Sequence, residues 1–299
     1  MKVLVLGGTR SFGIHLIQAL LDAGHQVTVA PRGLLSDYFG EQVRRVQVER
    51  TSMDSLRKRL GHETFDVVCD NLALCSEDVR TVFTALKAAR YVTVSSASVY
   101  LPRGEAPPGG VVEGAFDPYH TPLAWSRRNA VPYEEGKRRM ECALFQTGPV
   151  PCTAVRFPPI IGEDDHSKRL FFYVEHIYKR LPMHIANPEL SLSFISSRDA
   201  GAFLAWLAGQ DWAGPVNACN AGSVTIREIL SYIESKCRRR AVLSPEGDPD
   251  PYGSGAGFAL DASLASAWGY EFPPLESLLA NLLNGYLKEV REAVRLQRF

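Results

Sequence analysis

Long apolar runs are absent from this chain of 299 residues. No stretch approaches the roughly 18 apolar residues that a membrane helix requires. The apolar start at residues 1–6 gives way at once to Gly7-Gly8, so it lacks the core and the cleavage pattern of a signal peptide. We therefore expect a cytoplasmic protein with no membrane partner.

An excess of charge of either sign is also absent. Lys and Arg number 33, Asp and Glu number 33, and the formal net charge is +0. Without a bulk positive field, nucleic acid is not an expected partner. Hydrophobic residues make up 45% of the chain and charged residues 22%, which is typical of a folded globular protein. The expected partner is a small-molecule substrate.

Cysteines at disulfide or metal-ligand spacing are missing as well. The chain has no C-x-x-C pair and no histidine-rich tract, so it predicts neither a disulfide framework nor a metal site. We expect reduced and mostly buried thiols at Cys69, Cys75, Cys142, Cys152, Cys219 and Cys237.

The chain does contain a regular alternation of short apolar runs and helical patterns. Because these runs read as strands buried on both faces and joined by helices, they predict an α/β fold with a doubly wound parallel sheet. The predicted extended segments are 2–6, 27–30, 43–48, 66–70, 91–95, 152–156 and 191–195. The predicted helices are 12–23, 52–60, 76–89, 131–145, 170–179, 200–207, 226–236 and 275–292.

Two segments interrupt this alternation. Residues 101–130 contain five prolines and four glycines with few periodic apolar residues, and residues 244–257 are also rich in Pro and Gly. Both are predicted to be loops, and loops of the first one's length in compact domains are usually functional.

The turn between the first strand and the first helix reads Gly7-Gly8-Thr9-Arg10-Ser11-Phe12-Gly13. Glycines there let the backbone approach a pyrophosphate, whose charge is stabilised by free N–H groups and by the start of the helix. Arg10 replaces the middle glycine usual in such turns, and a tight turn without a ligand is the alternative. The position between strand and amphipathic helix favours dinucleotide binding.

The end of the second strand bears on the choice of cofactor. NAD-specific folds tend to place an acid there, whereas this chain has Arg32. Arg32 and Arg10 are suited to bind a 2′-phosphate, which favours NADP over NAD, although both also fit a solvated surface. Glu49, after the third strand, is a candidate for the adenine end or a surface acid.

A third signal joins Ser96, at the end of a buried strand, to Tyr133 and Lys137. The tyrosine and the lysine are four residues apart, so on a helix they share one face. A nearby ammonium group lowers the pKa of a phenol, and we expect this effect at Tyr133. An ordinary amphipathic helix is the alternative for the pair alone. Together with the serine and the glycine turn, the pattern favours general acid/base catalysis at a carbonyl or an alcohol.

These residues resemble the extended short-chain dehydrogenase/reductase family, which includes NAD-dependent epimerases and dehydratases. The Gly-Gly-Thr-Arg spelling of the turn is similar to an atypical branch that also has chloroplast RNA-binding members. The similarity spans residues 7–13, 66–73, 95–100, 133–141, 156–162, 194–200, 216–228 and 260–269. It implies a Rossmann-type dinucleotide-binding domain at 1–156, in which 131–156 carry the Tyr/Lys helix. It also implies a smaller substrate-binding α/β lobe at 157–299, from which some segments return to the first domain.

The resemblance implies a role for each matched residue. Ser96 is the catalytic hydroxyl, Tyr133 the acid/base, and Lys137 both the cation and a ligand of the nicotinamide ribose. Further implied cofactor contacts are Gly7, Gly8, Thr9, Ser11, Phe12, Gly13, Asn71, Leu72, Ala73, Ser95, Phe157 and Pro158. The implied substrate contacts are Ser98, Tyr100, Pro159, Arg169 and Arg198. A homodimer is common in the family.

Departures from the family bear on the substrate. Pro159 and Leu192 stand where many members have an Asn and an Arg that bind a diphosphate, so Arg169 or Arg198 would have to replace them. Ala97-Ser98 replaces the Asp-Glu of dehydratases. The resemblance thus implies an NAD(P)-dependent epimerase or reductase acting on a carbonyl or secondary alcohol, of a sugar or a nucleotide-sugar. The alternative is a redox sensor or RNA-binding protein of the same fold with vestigial catalysis.

Overall fold

The computed structural model describes residues 1–33, 39–101, 107, 109–252 and 259–296. The strands, in chain order from β1 to β14, are Lys2–Leu6, Gln26–Ala30, Arg44–Arg45, Thr64–Asp70, Lys87–Ser96, Cys152–Phe157, Ile160–Ile161, Pro182–His184, Ser191–Leu192, Ile195–Ser196, Gly214–Asn217, Val224–Thr225, Val242–Leu243 and Asp248–Pro249. The α-helices, from α1 to α9, are Phe12–Asp22, Met53–Leu60, Ser76–Ala85, Tyr133–Thr147, Arg169–Lys179, Ser197–Ala208, Ile226–Cys237, Ser263–Ala267 and Leu275–Leu296.

A seven-stranded sheet forms the main body, in the order β3-β2-β1-β4-β5-β6-β11, and its neighbouring strands are all parallel. The chain winds outward from β1 to β3 and then returns to the other side of β1. A crevice therefore opens at the carboxyl ends of β1 and β4, where dinucleotide-binding folds hold their ligand. The predicted α/β doubly wound fold is confirmed.

Alternate side chains of β1 point to opposite faces of this sheet. Val3 and Val5 pack with α1 and α6 on one face, whereas Leu4 and Leu6 pack with α2, α3 and α4 on the other. Helices thus cover both faces of the sheet at β1, which explains why the sequence of this strand is apolar without interruption. A separate apolar cluster is formed by α5, α7 and α9, together with small sheets of two or three strands.

Two predicted boundaries are wrong for identifiable reasons. The third strand was expected at 43–48 but is only Arg44–Arg45, at the edge of the sheet. Pro31 follows β2 and has no N–H with which to extend the ladder. The helix expected at 76–89 ends at Ala85, because residues 87 and 88 begin β5 and pair with β4.

Two further differences concern the region after residue 190. The extended segment expected at 191–195 is divided between β9 and β10, which pair with different strands. The strand β11 was not predicted because it contains both Gly214 and Pro215. An edge position in the sheet tolerates a proline.

The two predicted loops are largely irregular where they are described. Residues 113–115 form a 3₁₀ turn, and Val111 forms an isolated bridge with Leu260. Residues 102–106 and 108 of the first loop and 253–257 of the second lie outside the described residues. Five of the six cysteines are buried, as expected, and Cys237 is half-buried.

Candidate active site

The glycine turn between β1 and α1 requires its glycines. Gly7 and Gly8 have φ values of +90° and +102°, in the left-handed region. A Cβ atom on Gly13 would lie 2.4 Å from the Cα of Gly8, so a side chain there would break the turn itself. The turn borders a cleft of about 590 Å³ that contains every residue of the predicted motif. This first cleft is lined by Gly7, Gly8, Thr9, Arg10, Ser11, Phe12, Gly13, Pro31, Arg32, Gly33, Asn71 and Leu72.

The two arginines expected at a 2′-phosphate lie in this cleft together. Arg10 and Arg32 are exposed, and no hydrogen bond or ion pair holds either guanidinium among the described residues. Glu49 does not line the cleft. Hydrogen bonds from Thr51 lower the pKa of Glu49, and the nearby charge of Arg32 lowers it further.

Asn71 follows β4 and lies where the first cleft meets a second cleft, because Asn71 and Phe12 line both. The side-chain oxygen and nitrogen of Asn71 are both buried and have no hydrogen-bond partner among the described residues. Buried amides are almost always hydrogen-bonded, so this pair of atoms indicates a ligand that bridges the two clefts. A dinucleotide, with phosphates at one end and a nicotinamide amide at the other, fits this arrangement.

The second cleft, the catalytic cleft, has a volume of about 830 Å³ and brings Ser96, Tyr133 and Lys137 together. Ser96 ends β5, and its Oγ accepts a hydrogen bond from the N–H of Ser98 at 3.2 Å. Tyr133 is the first residue of α4, and the nearby Ser96 side chain lowers its pKa. The Nζ of Lys137 lies 5.8 Å from the centre of the Tyr133 ring. The spacing of four residues on a helix therefore produces the predicted neighbourhood.

The ammonium group of Lys137 is buried and held by backbone. It donates hydrogen bonds of 2.7 Å to the carbonyls of Ala73 and Val94. Ala73, expected at the cofactor, is buried and contributes through this carbonyl. Close approach of α4 to the same loop depends on Gly136, where a Cβ would lie 2.8 Å from the carbonyl oxygen of Leu74.

The expected effect of Lys137 on the phenol is wrong. Burial raises the pKa of Tyr133, while the hydrogen bond from Ser96 and the charge of Arg169 lower it by less. Burial also lowers the pKa of Lys137 to about 8. The lysine ammonium group donates to two backbone carbonyls, and burial has the largest effect on the pKa of the phenol. Tyr133 is therefore a proton-bearing phenol at neutral pH.

A buried ion pair supports the floor of this cleft. Glu141 on α4 contacts Arg156 on β6 at 2.6 Å, and both side chains are fully buried. Ser95, expected at the cofactor, lines the cleft, and its Oγ donates to Glu141 at 2.5 Å. Tyr100, expected at the substrate, does not line the cleft. Its hydroxyl donates to the Oδ1 of Asn217 at 2.7 Å and accepts from Arg156, so Tyr100 belongs to the supporting network.

The remaining expected substrate and cofactor contacts are divided. Ser98, Phe157, Pro158, Pro159 and Arg169 line the catalytic cleft. By contrast, Arg198 is exposed in the first turn of α6 and lines neither cleft.

Among the residues of the catalytic cleft that sequence reasoning missed, Asp250 and Tyr252 carry polar side-chain groups. They lie in the segment 244–257, which the Pro/Gly content marked as a loop. That content was the only available signal, because no motif connects these residues to Tyr133.

No protein-family model matches the chain. Over 206 residues it is 29% identical to the chloroplast stem-loop binding protein of 41 kDa b from Arabidopsis thaliana, covering 64% of this chain and 50% of that protein. Over 111 residues it is 34% identical to 2′-dehydrokanamycin reductase from Streptomyces kanamyceticus, covering 36% of this chain and 31% of that protein. The chain thus spans half or less of the curated relatives it matches.

Solved structures match nearly the whole chain. UDP-glucose 4-epimerase from Thermotoga maritima, with UDP-glucose, has a TM-score of 0.70 at 14% identity and covers 98% of this chain and 100% of its own. UDP-glucuronic acid 4-epimerase from Bacillus cereus, with UDP-glucuronic acid and NAD, has a TM-score of 0.69 at 17% identity with the same coverage. The chain therefore shares the fold of these two epimerases.

The described residues contain neither a membrane-spanning helix nor a metal-ligand group. Among the described helices, none has the length and apolar character needed to span a bilayer. Within the described ranges there is also no group of three or more His, Cys, Asp or Glu side chains placed to hold a metal ion.

Proposed function

We propose that this chain is an NAD(P)-dependent oxidoreductase that acts on a carbonyl group or a secondary alcohol of a sugar. The observation that carries this proposal is the continuity of two clefts. The glycine-turn cleft and the cleft of Ser96, Tyr133 and Lys137 share Phe12 and Asn71. A ligand that fills the first cleft reaches the reacting groups in the second.

The cofactor would be held by the glycine turn at its phosphates and by Asn71 and Lys137 at the nicotinamide end. When bound, it supplies or accepts a hydride. Phe157 and Pro158 line the catalytic cleft with apolar surface, which limits water near the reacting carbon. The exposed guanidinium groups of Arg10 and Arg32 support a preference for NADP, because a 2′-phosphate would give both a charged partner.

The acid/base work belongs to Tyr133. In the reducing direction its phenol gives a proton to the substrate oxygen, and in the oxidising direction its phenolate takes that proton back. The Ser96 hydroxyl, which lines the same cleft as Tyr133, holds the same substrate oxygen. Since burial raises the pKa of Tyr133, the proton is present at neutral pH, which favours reduction of a carbonyl.

The comparisons support this direction to different degrees. The Streptomyces relative is named a reductase, and the similar structures are epimerases, whose names also imply chemistry at a sugar carbon. The Arabidopsis relative is named for stem-loop binding. Balanced charge over the whole chain and buried unpartnered polar atoms of Asn71, which lines both clefts, favour a small substrate over RNA.

The test is turnover by a Tyr133→Phe variant, measured by nicotinamide absorbance and product analysis on a panel of sugar carbonyl compounds and nucleotide-sugars. Loss of the phenol proton should reduce kcat by about 10²- to 10⁴-fold, while the cofactor dissociation constant stays within about twofold. Tyr119→Phe is the matched control, because it removes the same hydroxyl group from a tyrosine that lines neither cleft. Undiminished turnover by Tyr133→Phe would contradict the proposal.

A further inference from the structure

One part of the catalytic cleft has no task in the proposed hydride transfer. It is formed by Asp250 and Tyr252, directly after β14. Asp250 is 9% exposed and Tyr252 is 6% exposed. The Oδ2 atom of Asp250 and the hydroxyl of Tyr252 are buried and have no hydrogen-bond partner among the described residues. Such atoms on a cavity wall indicate a ligand that supplies the missing partners.

The carboxylate of Asp250 is held in a fixed orientation. Its Oδ1 atom accepts hydrogen bonds from the hydroxyl of Tyr173 and, at 3.0 Å, from the N–H of Tyr252. The Oδ2 atom has no such donor among the described residues. Both donors are uncharged, and none of the ion pairs within the described ranges includes Asp250. A buried carboxylate supported only by neutral donors is stabilised most by an approaching cation.

Arg169, the cation on the same side of the cleft, is engaged elsewhere. Its guanidinium carbon lies 5.2 Å from the centre of the Tyr252 ring, and its Nε donates to the Oγ of Ser167 at 3.3 Å. The arginine therefore stacks on the tyrosine ring and forms no ion pair with Asp250. The negative charge of Asp250 is available to a ligand in the cleft.

We infer that Asp250, assisted by the Tyr252 hydroxyl, binds a protonated amine of the substrate, so that the substrate class is an amino-bearing sugar ring. This inference rests on the proposed function, because the same cleft contains Ser96 and Tyr133. A diphosphate placed here would bring its negative charges close to a carboxylate that has no cation of its own. A protonated amine would instead place a positive charge next to the Asp250 carboxylate.

The experiment compares three probes in calorimetric titrations at pH 7 with saturating NADP: D-glucosamine, N-acetyl-D-glucosamine and UDP-glucose. Acetylation removes the positive charge of the amine, so the wild type should bind D-glucosamine at least about tenfold more tightly than its acetylated form. Equal affinities, tighter binding of UDP-glucose, or no binding of any probe overturns the inference.

Two variants assign the preference to this part of the cleft. Asp250→Asn keeps an oxygen for Tyr173 and for the N–H of Tyr252, so the loop retains its contacts, and the preference for D-glucosamine should vanish. Tyr252→Phe removes only an unpartnered hydroxyl and should weaken D-glucosamine binding severalfold without lowering Tm. Asp248→Asn is the matched control, since that carboxylate lies two residues earlier, on β14, and its side chain is 70% exposed. A preference that survives Asp250→Asn overturns the assignment.

The outcome is separable from that of the proposed function because binding and turnover are measured independently. Tyr133→Phe should abolish turnover and preserve the preference for the amine. Selective amine binding without hydride transfer to any substrate would contradict the proposed oxidoreductase function but would still support the amine-binding site. Turnover that depends on Tyr133 but ignores Asp250 would refute the amine site alone.

Discussion

The proposed preference for NADP over NAD rests on two side chains. Arg10 extends from the glycine turn and Arg32 from the segment after β2, and both line the first cleft. The first cleft also lacks, among its described lining residues, an acid that could bind ribose hydroxyls. This combination supports the proposed preference for NADP, whose 2′-phosphate replaces the free 2′-hydroxyl of NAD.

An Arg32→Ala variant should therefore bind NADP about 10- to 100-fold more weakly while its affinity for NAD changes little. The loss reflects one charge-assisted contact, worth about 1.5 to 3 kcal/mol. Calorimetric titration with each cofactor measures it. Arg198→Ala, which removes an exposed arginine outside both clefts, serves as the control. Equal weakening of the two cofactors by Arg32→Ala would contradict the role of Arg32.

Lys137 makes the stability of the protein depend on pH. Burial lowers its pKa to about 8, below its ordinary value of 10.5. Between these two values the unfolded state binds more protons than the folded state, so folding becomes more favourable as the pH rises through this window. The buried charge of Lys137 therefore lowers the free energy of unfolding near pH 7, and this effect diminishes at higher pH, where the folded protein loses the proton.

Relative to a Lys137→Met variant, the wild type should gain about 2 kcal/mol of unfolding free energy between pH 7 and pH 9.5. Urea denaturation of both proteins at both pH values measures this difference and cancels the titration of other groups. A difference that is constant, or that shrinks as pH rises, would show that Lys137 is not desolvated as described.

At the scale of elements, helices α1 and α6 pack against one face of the sheet with very little space between them. A Cβ atom on Gly201 of α6 would lie 2.5 Å from the backbone nitrogen of Leu16 on α1. This contact supports the start of α1 and with it the glycine turn. Backbone atoms cannot rotate away from an added methyl group as a flexible side chain can, so the helices would have to separate.

Gly201→Ala should lower the free energy of unfolding by about 1 to 3 kcal/mol. Gly285→Ala is the matched control, because Gly285 lies within α9 with open space around it, and alanine there should stabilise the helix by about 0.5 to 1 kcal/mol. Thermal and urea denaturation of the two variants should therefore shift in opposite directions. Stabilisation by both substitutions would show that α1 and α6 are not in close contact at Gly201.

The loop that follows β4 is a second element-scale feature, because it joins the two clefts. Its entry is anchored by a buried cluster in which Arg50 pairs with Asp70 and Asp78. The N–H of Leu72 donates to Asp70 at 3.0 Å, and Arg128 donates to the carbonyl of Leu72 at 2.6 Å. These contacts hold the backbone at Leu72. They thereby position its two neighbours, Asn71 and Ala73, whose carbonyl accepts a hydrogen bond from Lys137.

At the scale of the whole molecule, the order of strands decides where chemistry is found. The glycine turn follows β1 and Asn71 follows β4, and these two strands are neighbours although the turn and the asparagine are far apart in sequence. Ser96 is the last residue of β5, the next strand in the sheet. A doubly wound sheet therefore brings residues from distant segments together along one edge. The later part of the chain lines the same cleft with Arg169, Asp250 and Tyr252.

Local patterns in the sequence were sufficient for the class of fold and for the glycine turn. Apolar runs of strand length and helical periodicity depend on neighbours a few residues away, so they can be read along the chain. The pairing of Tyr133 with Lys137 is of the same kind, because a spacing of four is set by the helix itself. The boundary of β3 and the existence of β11 were not accessible in this way, since edge strands depend on the partner beside them.

Only the tertiary structure decided which charges act in the site. Tyr100 and Arg198 carry suitable groups, yet packing placed the first in a buried network and the second on the surface. Asp250 and Tyr252 had no motif, and packing brought them into the cleft of Tyr133. The pKa of Tyr133 likewise rises because of the protein around it, although the neighbouring lysine alone predicted a fall. Burial and desolvation depend on residues distant in sequence. Local sequence therefore determined the class of fold and the spacing of Tyr133 and Lys137, and packing determined the environment of these side chains.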